Sequence, residues 1–264
     1  MQPGILVISH GSREPGWVEL VDETMGSVRE ALGSDVPTEA AFLELVDGRL
    51  IQDGIDRLEA AGASSILAIP LFVSSGSTHV DEIGWALGAH AHCRTETDLE
   101  PFRLKASLAY GSPMDEAEQL VDVLLERALA LSAGEAGCES LLLIAHGSDA
   151  AGFREAWERG MNGVAAEVCR RGGFADAETA MLRLDEVPER WGELRRRRPS
   201  DRILAVPLFL SEGYFTSVVI PRKLQGLECR YEGKALMPHV RITDWVVRQA
   251  SDWLAKESKK RGSS

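Results

Sequence analysis

Residues 64–76 read SSILAIPLFVSSG, and residues 201–213 read DRILAVPLFLSEG. Each is a run of branched apolar residues that ends in Pro-Leu-Phe and, after three intervening residues, a glycine. The likeness extends upstream. ILVISHGS (5–12) precedes the first stretch and LLLIAHGS (141–148) the second, and AAFLEL (40–45) has a looser echo in TAMLRL (179–184). Matches in the same order at nearly the same spacing mark an internal duplication, which has to be recognised before a fold is assigned. The repeats are 1–133 and 134–264, joined near LSAGEAGCE (131–139), where Gly, Ala and Ser dominate.

Short apolar runs alternate with longer amphipathic ones inside each repeat. Ile5–Ser9, Ala41–Leu45, Ile66–Phe72 and Leu104–Tyr110 are near-continuous apolar segments, as expected of strands covered on both faces. Trp17–Leu32, Arg49–Ala61, Val80–Ala89 and Met114–Leu131 carry helical spacing. The second repeat gives strands at Leu141–Ala145, Ala180–Leu184, Ile203–Leu210 and Lys234–Met237, and a last helix at Ile242–Lys256. Strand–helix alternation predicts an α/β fold in which each repeat is a small parallel sheet flanked by helices.

Composition narrows the function classes. The chain has 264 residues, 44% apolar and 27% charged, with a net charge of −12. Such a balance offers no general attraction to nucleic acid or to an anionic membrane surface. No apolar run approaches the roughly 20 residues that span a bilayer, and no signal-like N-terminus is present, so a cytoplasmic protein is expected. The four cysteines are scattered without a CxxC pair, which argues against a zinc ribbon or a disulfide framework. There is no P-loop, no dinucleotide-binding glycine fingerprint and no GxSxG elbow. A histidine phosphatase would want an arginine directly before its histidine, whereas Ser9 and Ala145 stand there.

Ligands of open parallel sheets bind beyond the carboxyl ends of the strands. His10, Gly11, Ser12 and Arg13 follow the first strand, Glu44 ends the second, and Ser74, Ser75 and Gly76 follow the third, with His79 just beyond. Two imidazoles and a carboxylate thus converge on one rim, a set suited to borderline metals and to proton transfer near neutral pH. His-Gly-Ser alone is a weak motif, but both copies keep it although they have diverged widely. GAHAHC (88–93) is expected to be an exposed helix end rather than a metal site, and RRRR (195–198) a solvated helix terminus.

LVISHGSREPGW, AFLELVDG and ILAIPLFVSSGSTHVDEI together resemble the sirohydrochlorin chelatases of the class II chelatase superfamily, in their long tandem form. The resemblance implies two α/β lobes facing each other across a cleft that holds a tetrapyrrole. It also implies insertion of a divalent metal into sirohydrochlorin without ATP, with cobalt preferred and iron next. The metal is then a substrate, and no cofactor is permanently bound. By the same resemblance His10 and His79 handle the metal, and His10, Glu44 and His79 form the catalytic set. Ser12, Arg13, Ser75, Gly76, His146, Arg183, Tyr214 and Arg222 are expected to contact the anionic macrocycle. A tandem chain is expected to be a monomer that forms its pseudo-dimer internally.

The second repeat departs from this pattern. Counted from Pro207, Thr216 stands where the first repeat has His79, and Arg183 where it has Glu44. One active site per chain, in the first repeat, is therefore expected. The alternatives are a non-catalytic carrier of a tetrapyrrole or metal, and a chelatase for a related tetrapyrrole or for nickel.

Overall fold

The computed structural model describes residues 2–12 and 15–262. The order of elements is β1 (Gln2–Ser9), α1 (Pro15–Leu32), β2 (Thr38–Phe42), α2 (Ile51–Ala60), β3 (Ala63–Pro70), α3 (Thr78–Ala86), β4 (Ser107–Tyr110) and α4 (Glu118–Leu131). The second repeat continues with β5 (Glu139–Ala145), α5 (Phe153–Gly172), β6 (Asp176–Met181), α6 (Val187–Arg197), β7 (Arg202–Leu208), α7 (Ile220–Lys223) and α8 (Val240–Gly262). Both sheets are parallel, in the order β2-β1-β3-β4 and β6-β5-β7. The first strand of each repeat is therefore central, as its continuous apolar sequence demands.

In the first sheet Leu6 and Ile8 of β1 point to the face covered by Ile51, Ile55 and Leu58 of α2 and by Val80 and Ile83 of α3. Ile5 and Val7 point the other way and are equally buried. Each fully buried Leu or Ile contributes roughly 1.5–3 kcal/mol relative to an exposed one. The second core repeats this layout with Leu142 and Ile144 of β5, Val187 and Leu194 of α6, and Ile220 and Leu224.

The compact units are not the repeats. One comprises 1–72, 78–114 and 242–264, and the other 73–77 and 115–241. In the second unit, Leu124 of α4 joins Ala165 and Val168 of α5 over Leu141, Leu143 and Val206 of the sheet. In the first, Gln249 of α8 bonds both backbone groups of Ser112 at 3.1 Å, and Ser65 of β3 donates to Glu257 at 3.3 Å. The helix that closes each repeat thus completes the sheet of the other.

Several strands differ from expectation. β6 runs Asp176–Met181 rather than Ala180–Leu184, because Leu182–Leu184 forms a 3-10 turn, and β4 begins at Ser107 rather than Leu104. β2 ends at Phe42, so Glu44 lies in the turn beyond it, and Leu45 takes a left-handed φ of 66°. Lys234–Met237 is not a strand. The edge beside β7 is met by Arg230, which brackets Leu204 by donating to the Ile203 carbonyl and accepting from the Ala205 amide, and by Leu236 and Met237, which donate to Phe209 and Leu210 past the end of β7. Gly233, at φ 73°, turns the chain between these two points of attachment and breaks the ladder.

One close approach sets the rim of the first sheet. A Cβ on Gly11 would lie 1.5 Å from the Glu44 carbonyl oxygen, a backbone atom that no rotamer change can remove. Gly11→Ala is accordingly expected to lower stability by at least about 2 kcal/mol, read by urea unfolding. A loss under half of that would show that the two turns separate easily.

Candidate functional site

His10 leaves β1 with its ring folded over its own turn. Its Nδ1 lies 2.7 Å from the Gly11 carbonyl oxygen, an atom that only accepts, so Nδ1 carries the proton. Nε2 is left facing Glu44 Oε1 at 3.5 Å. Trp17 of α1 donates to the His10 carbonyl at 2.7 Å and pins the turn from the helix side. His79, the second residue of α3, meets His10 edge to face with ring centroids 4.7 Å apart. Phe72, which precedes α3, backs the His79 ring at 6.3 Å.

The two imidazoles are close enough to share one ion, and both remain about 40% exposed, open to a large ligand. Each has a carboxylate at its side: Glu44 beside His10 and Glu82 beside His79, the latter at 2.5 Å from Nδ1. Among the described residues no group of three or more His, Cys, Asp or Glu is gathered as a metal cage.

Sequence reading missed Glu82. Burial pushes its carboxyl up, but the hydrogen bonds of His79 and Thr97 and the nearby charge of His79 and His10 outweigh that and hold it below the ordinary carboxylate range. The available signal was the spacing: a carboxylate three residues after a histidine at a helix start shares its face.

The other expected residues are placed as follows. Ser12 is half-buried beside His10, and Arg13 lies outside the described residues. The Ser75 amide donates to Asp115 at 2.7 Å. Gly76 has a packing reason of its own, since a Cβ there would strike the Trp157 ring at 2.5 Å and the Phe153 carbonyl at 2.7 Å. The segment carrying both is part of the second unit.

In the second unit His146 repeats the turn of His10, with Nδ1 3.1 Å from the Gly147 carbonyl. What it meets is different. The edge-on ring 5.1 Å away belongs to Phe215, which stacks on Phe209 at 5.7 Å and touches Tyr214 at 5.9 Å. Phe209 matches Phe72, so by contact Phe215, not Thr216, occupies the place of His79. A π-helical turn at Phe215–Val219 produces this one-residue offset. It turns Thr216 inward, where its hydroxyl donates to the Gly213 carbonyl at 3.1 Å and its own carbonyl accepts from Tyr231 at 2.6 Å. Arg183 is paired with Asp149 at 2.9 Å, and Arg222 is exposed on α7.

GAHAHC is more than an exposed end. His90, at 3.6 Å, and Arg94, at 2.7 Å, converge on the buried Asp81, which Cys93 Sγ also approaches at 3.6 Å. The arginine run does end α6 as expected, but it is bonded rather than merely solvated: Arg195 donates to the carbonyls of Pro199 and Asp201, Arg197 pairs with Asp176 and Glu178, and Arg198 pairs with Asp201.

A duplicated parallel α/β protein with paired imidazoles at a strand terminus is the class defined so far, and comparison with known proteins makes it specific. The profile of the CbiX family matches residues 4–131 and again 140–252, and the chain belongs to that family. It is 28% identical over 126 residues to the sirohydrochlorin cobaltochelatase of Methanococcoides burtonii, covering 48% of this chain and 94% of that one. It is 24% identical over 230 residues to the sirohydrochlorin ferrochelatase of Priestia megaterium, covering 85% and 77% respectively. Among solved structures, SirB from Bacillus subtilis with Fe3+ superposes with a TM-score of 0.74 at 19% identity over 98% of both chains. SirB from Bacillus subtilis subspecies spizizenii in complex with cobalt gives 0.68 at 20% identity over 94% of both chains. At these identities the structures establish a shared fold.

Asp81 supplies a pH test of how the loop 88–94 is fastened. Burial pushes its carboxyl up, but the amide and guanidinium of Arg94 and the charges of Arg94 and His90 together hold it below its ordinary value. A depressed folded-state value contributes stability above the unfolded Asp range near 3.9, and that stability is lost as pH falls through the folded value. Asp81→Asn should therefore shrink the difference in unfolding free energy between about pH 7 and about pH 3. An unchanged difference would assign the acid sensitivity elsewhere.

Proposed function

We propose that this protein is a sirohydrochlorin metal chelatase, inserting cobalt by preference and iron next, with its single metal-handling centre at His10, Glu44 and His79. The observation that carries the reading is the arrangement of protons around the two imidazoles. Both Nδ1 atoms are engaged, by the Gly11 carbonyl and by Glu82, which leaves each Nε2 to bind a cation. His10 Nε2 and Glu44 Oε1 lie 3.5 Å apart. A bare lone pair facing a carboxylate is repulsive, and either a proton or a divalent metal relieves it. A seat that accepts both is what metallation requires, because one divalent ion enters the macrocycle as two pyrrole protons leave.

The residues divide this work. His10 and His79 replace part of the ion's water shell, since imidazole suits cobalt and iron alike. Glu44 and the vacated Nε2 atoms take up the released protons. The exchange moves no phosphoryl group, so no nucleotide is consumed and no permanent cofactor is needed. Selectivity among first-row metals is not written in the ligand types. The preference for cobalt rests on the motif likeness to cobaltochelatases; the cobaltochelatase of Methanococcoides burtonii matches a single repeat, and the relative matched over 85% of the chain is a ferrochelatase, which places iron close behind.

On the second unit, Phe215 and Tyr214 offer exposed rings to the macrocycle face, and Arg222 offers a guanidinium to its carboxylates. Arg183 would first have to exchange Asp149 for a substrate carboxylate. Ser12, Arg13, Ser75, Gly76 and His146 complete the proposed substrate contacts. Phe215 in the place of His79 supports a single metal centre.

His79→Ala is expected to abolish metal insertion, followed by the visible spectrum of sirohydrochlorin, whereas His146→Ala should keep most of it. Equal losses would overturn the single-centre reading, and a bound but unmetallated spectrum in the wild type would make the protein a carrier. Competition among Co2+, Fe2+ and Ni2+ should rank cobalt first, and a clear lead for nickel would remove the stated preference.

A further inference from the structure

Glu82 is nearly buried, with 14% of its side chain exposed, and each of its oxygens has one donor. Oε1 accepts from His79 Nδ1 at 2.5 Å and Oε2 from the Thr97 hydroxyl at 2.6 Å. The direction of the second bond is fixed from further out. Thr97 Oγ1 accepts the Leu99 backbone amide at 3.1 Å, and an amide only donates, so the hydroxyl proton is directed to Glu82. Polarity therefore runs one way along the chain, from backbone amide to hydroxyl to carboxylate, and the carboxylate receives the His79 proton. The loop that carries Thr97 is itself tied to α3 through Arg94, which holds Asp81 with its amide at 2.8 Å and its guanidinium at 2.7 Å.

The duplication offers a control within the chain. STHVDEI (77–83) corresponds to YFTSVVI (214–220), and the position of Glu82 is Val219 by sequence, or Val218 when counted from Phe215. The copy without the second imidazole has no carboxylate there in either register.

We propose that Glu82, oriented by Thr97, is a positioning residue that holds His79 in its Nδ1–H tautomer and so keeps the Nε2 lone pair directed at the incoming metal. Outer carboxylates on metal-binding histidines fix ring orientation and basicity in this manner. The inference rests on the reading of His79 as a metal-handling residue, and its test separates the two.

The readout is the tautomer of His79 in metal-free protein labelled with 15N in its imidazoles, its signals assigned by their loss in His79→Ala. Nδ1–H is expected in the wild type and in Glu82→Gln, whose amide oxygen still accepts, while Glu82→Ala should shift the ring toward Nε2–H. Affinity for Co2+ alone, by calorimetry, should fall about 10–100-fold in Glu82→Ala and stay within about threefold of wild type in Glu82→Gln. Thr97→Val, which keeps the carboxylate, should lose about 3–10-fold and serves if Glu82→Ala does not fold. An Nε2–H tautomer in the wild type, or unchanged Co2+ affinity in a folded Glu82→Ala or in Thr97→Val, overturns the proposal. Full Co2+ binding and metallation by His79→Ala would instead overturn the functional reading on which it rests.

Discussion

The rim of the first unit depends on backbone passing close to backbone. Gly11 has no side chain, and the Glu44 carbonyl uses that space, lying where a Cβ would otherwise be. The turn after β1 and the turn after β2 are held together, which brings a carboxylate from one beside an imidazole from the other. The second unit obeys the same constraint with different atoms. Gly147, at φ 75°, would put a Cβ 2.4 Å from the Met181 side chain. In both copies the histidine bonds the carbonyl of the glycine that follows it. His-Gly is thus a unit of turn architecture, which explains why a copy without the second imidazole keeps it.

The two units then diverge at one short segment. In the first, an ordinary helix start presents His79, and in the second a π-helical turn presents Phe215 to the equivalent histidine. The extra residue in that turn changes which side chain reaches the rim and replaces an imidazole neighbour with a phenyl ring. A duplicated fold can specialise its copies in this way without disturbing either core, because Ile83 and Ile220 remain buried on the far side of the segment.

The parallel α/β class was legible because buried central strands such as Ile5–Ser9 have no polar face to hide, and because the repeat showed twice where strands end. Glu44 was legible as a candidate, yet its true position past the end of β2 was not, since Leu45 needs a left-handed φ that its side chain does not advertise. Lys234–Met237 misled for the opposite reason: Ala235, Leu236 and Met237 are buried, but their backbone makes only isolated bonds. Thr216 could not have been separated from Phe215 by counting, because a π turn leaves no mark in the residue types. Glu82 was visible by helical spacing. Its partner Thr97 was not, being brought up by a loop whose path depends on Asp81.

The exchange of closing helices bears on the order in which the chain acquires its structure. Domains tend to fold as they leave the ribosome, the first made before the last. Here α8 comes after every residue of the second unit, yet its Gln249 and Glu257 complete the first. The second unit, by contrast, already has α4 in hand when β5 is made. The unit that carries the paired imidazoles is begun before the other and completed after it, so its contacts to α8 form only once the second unit has been made.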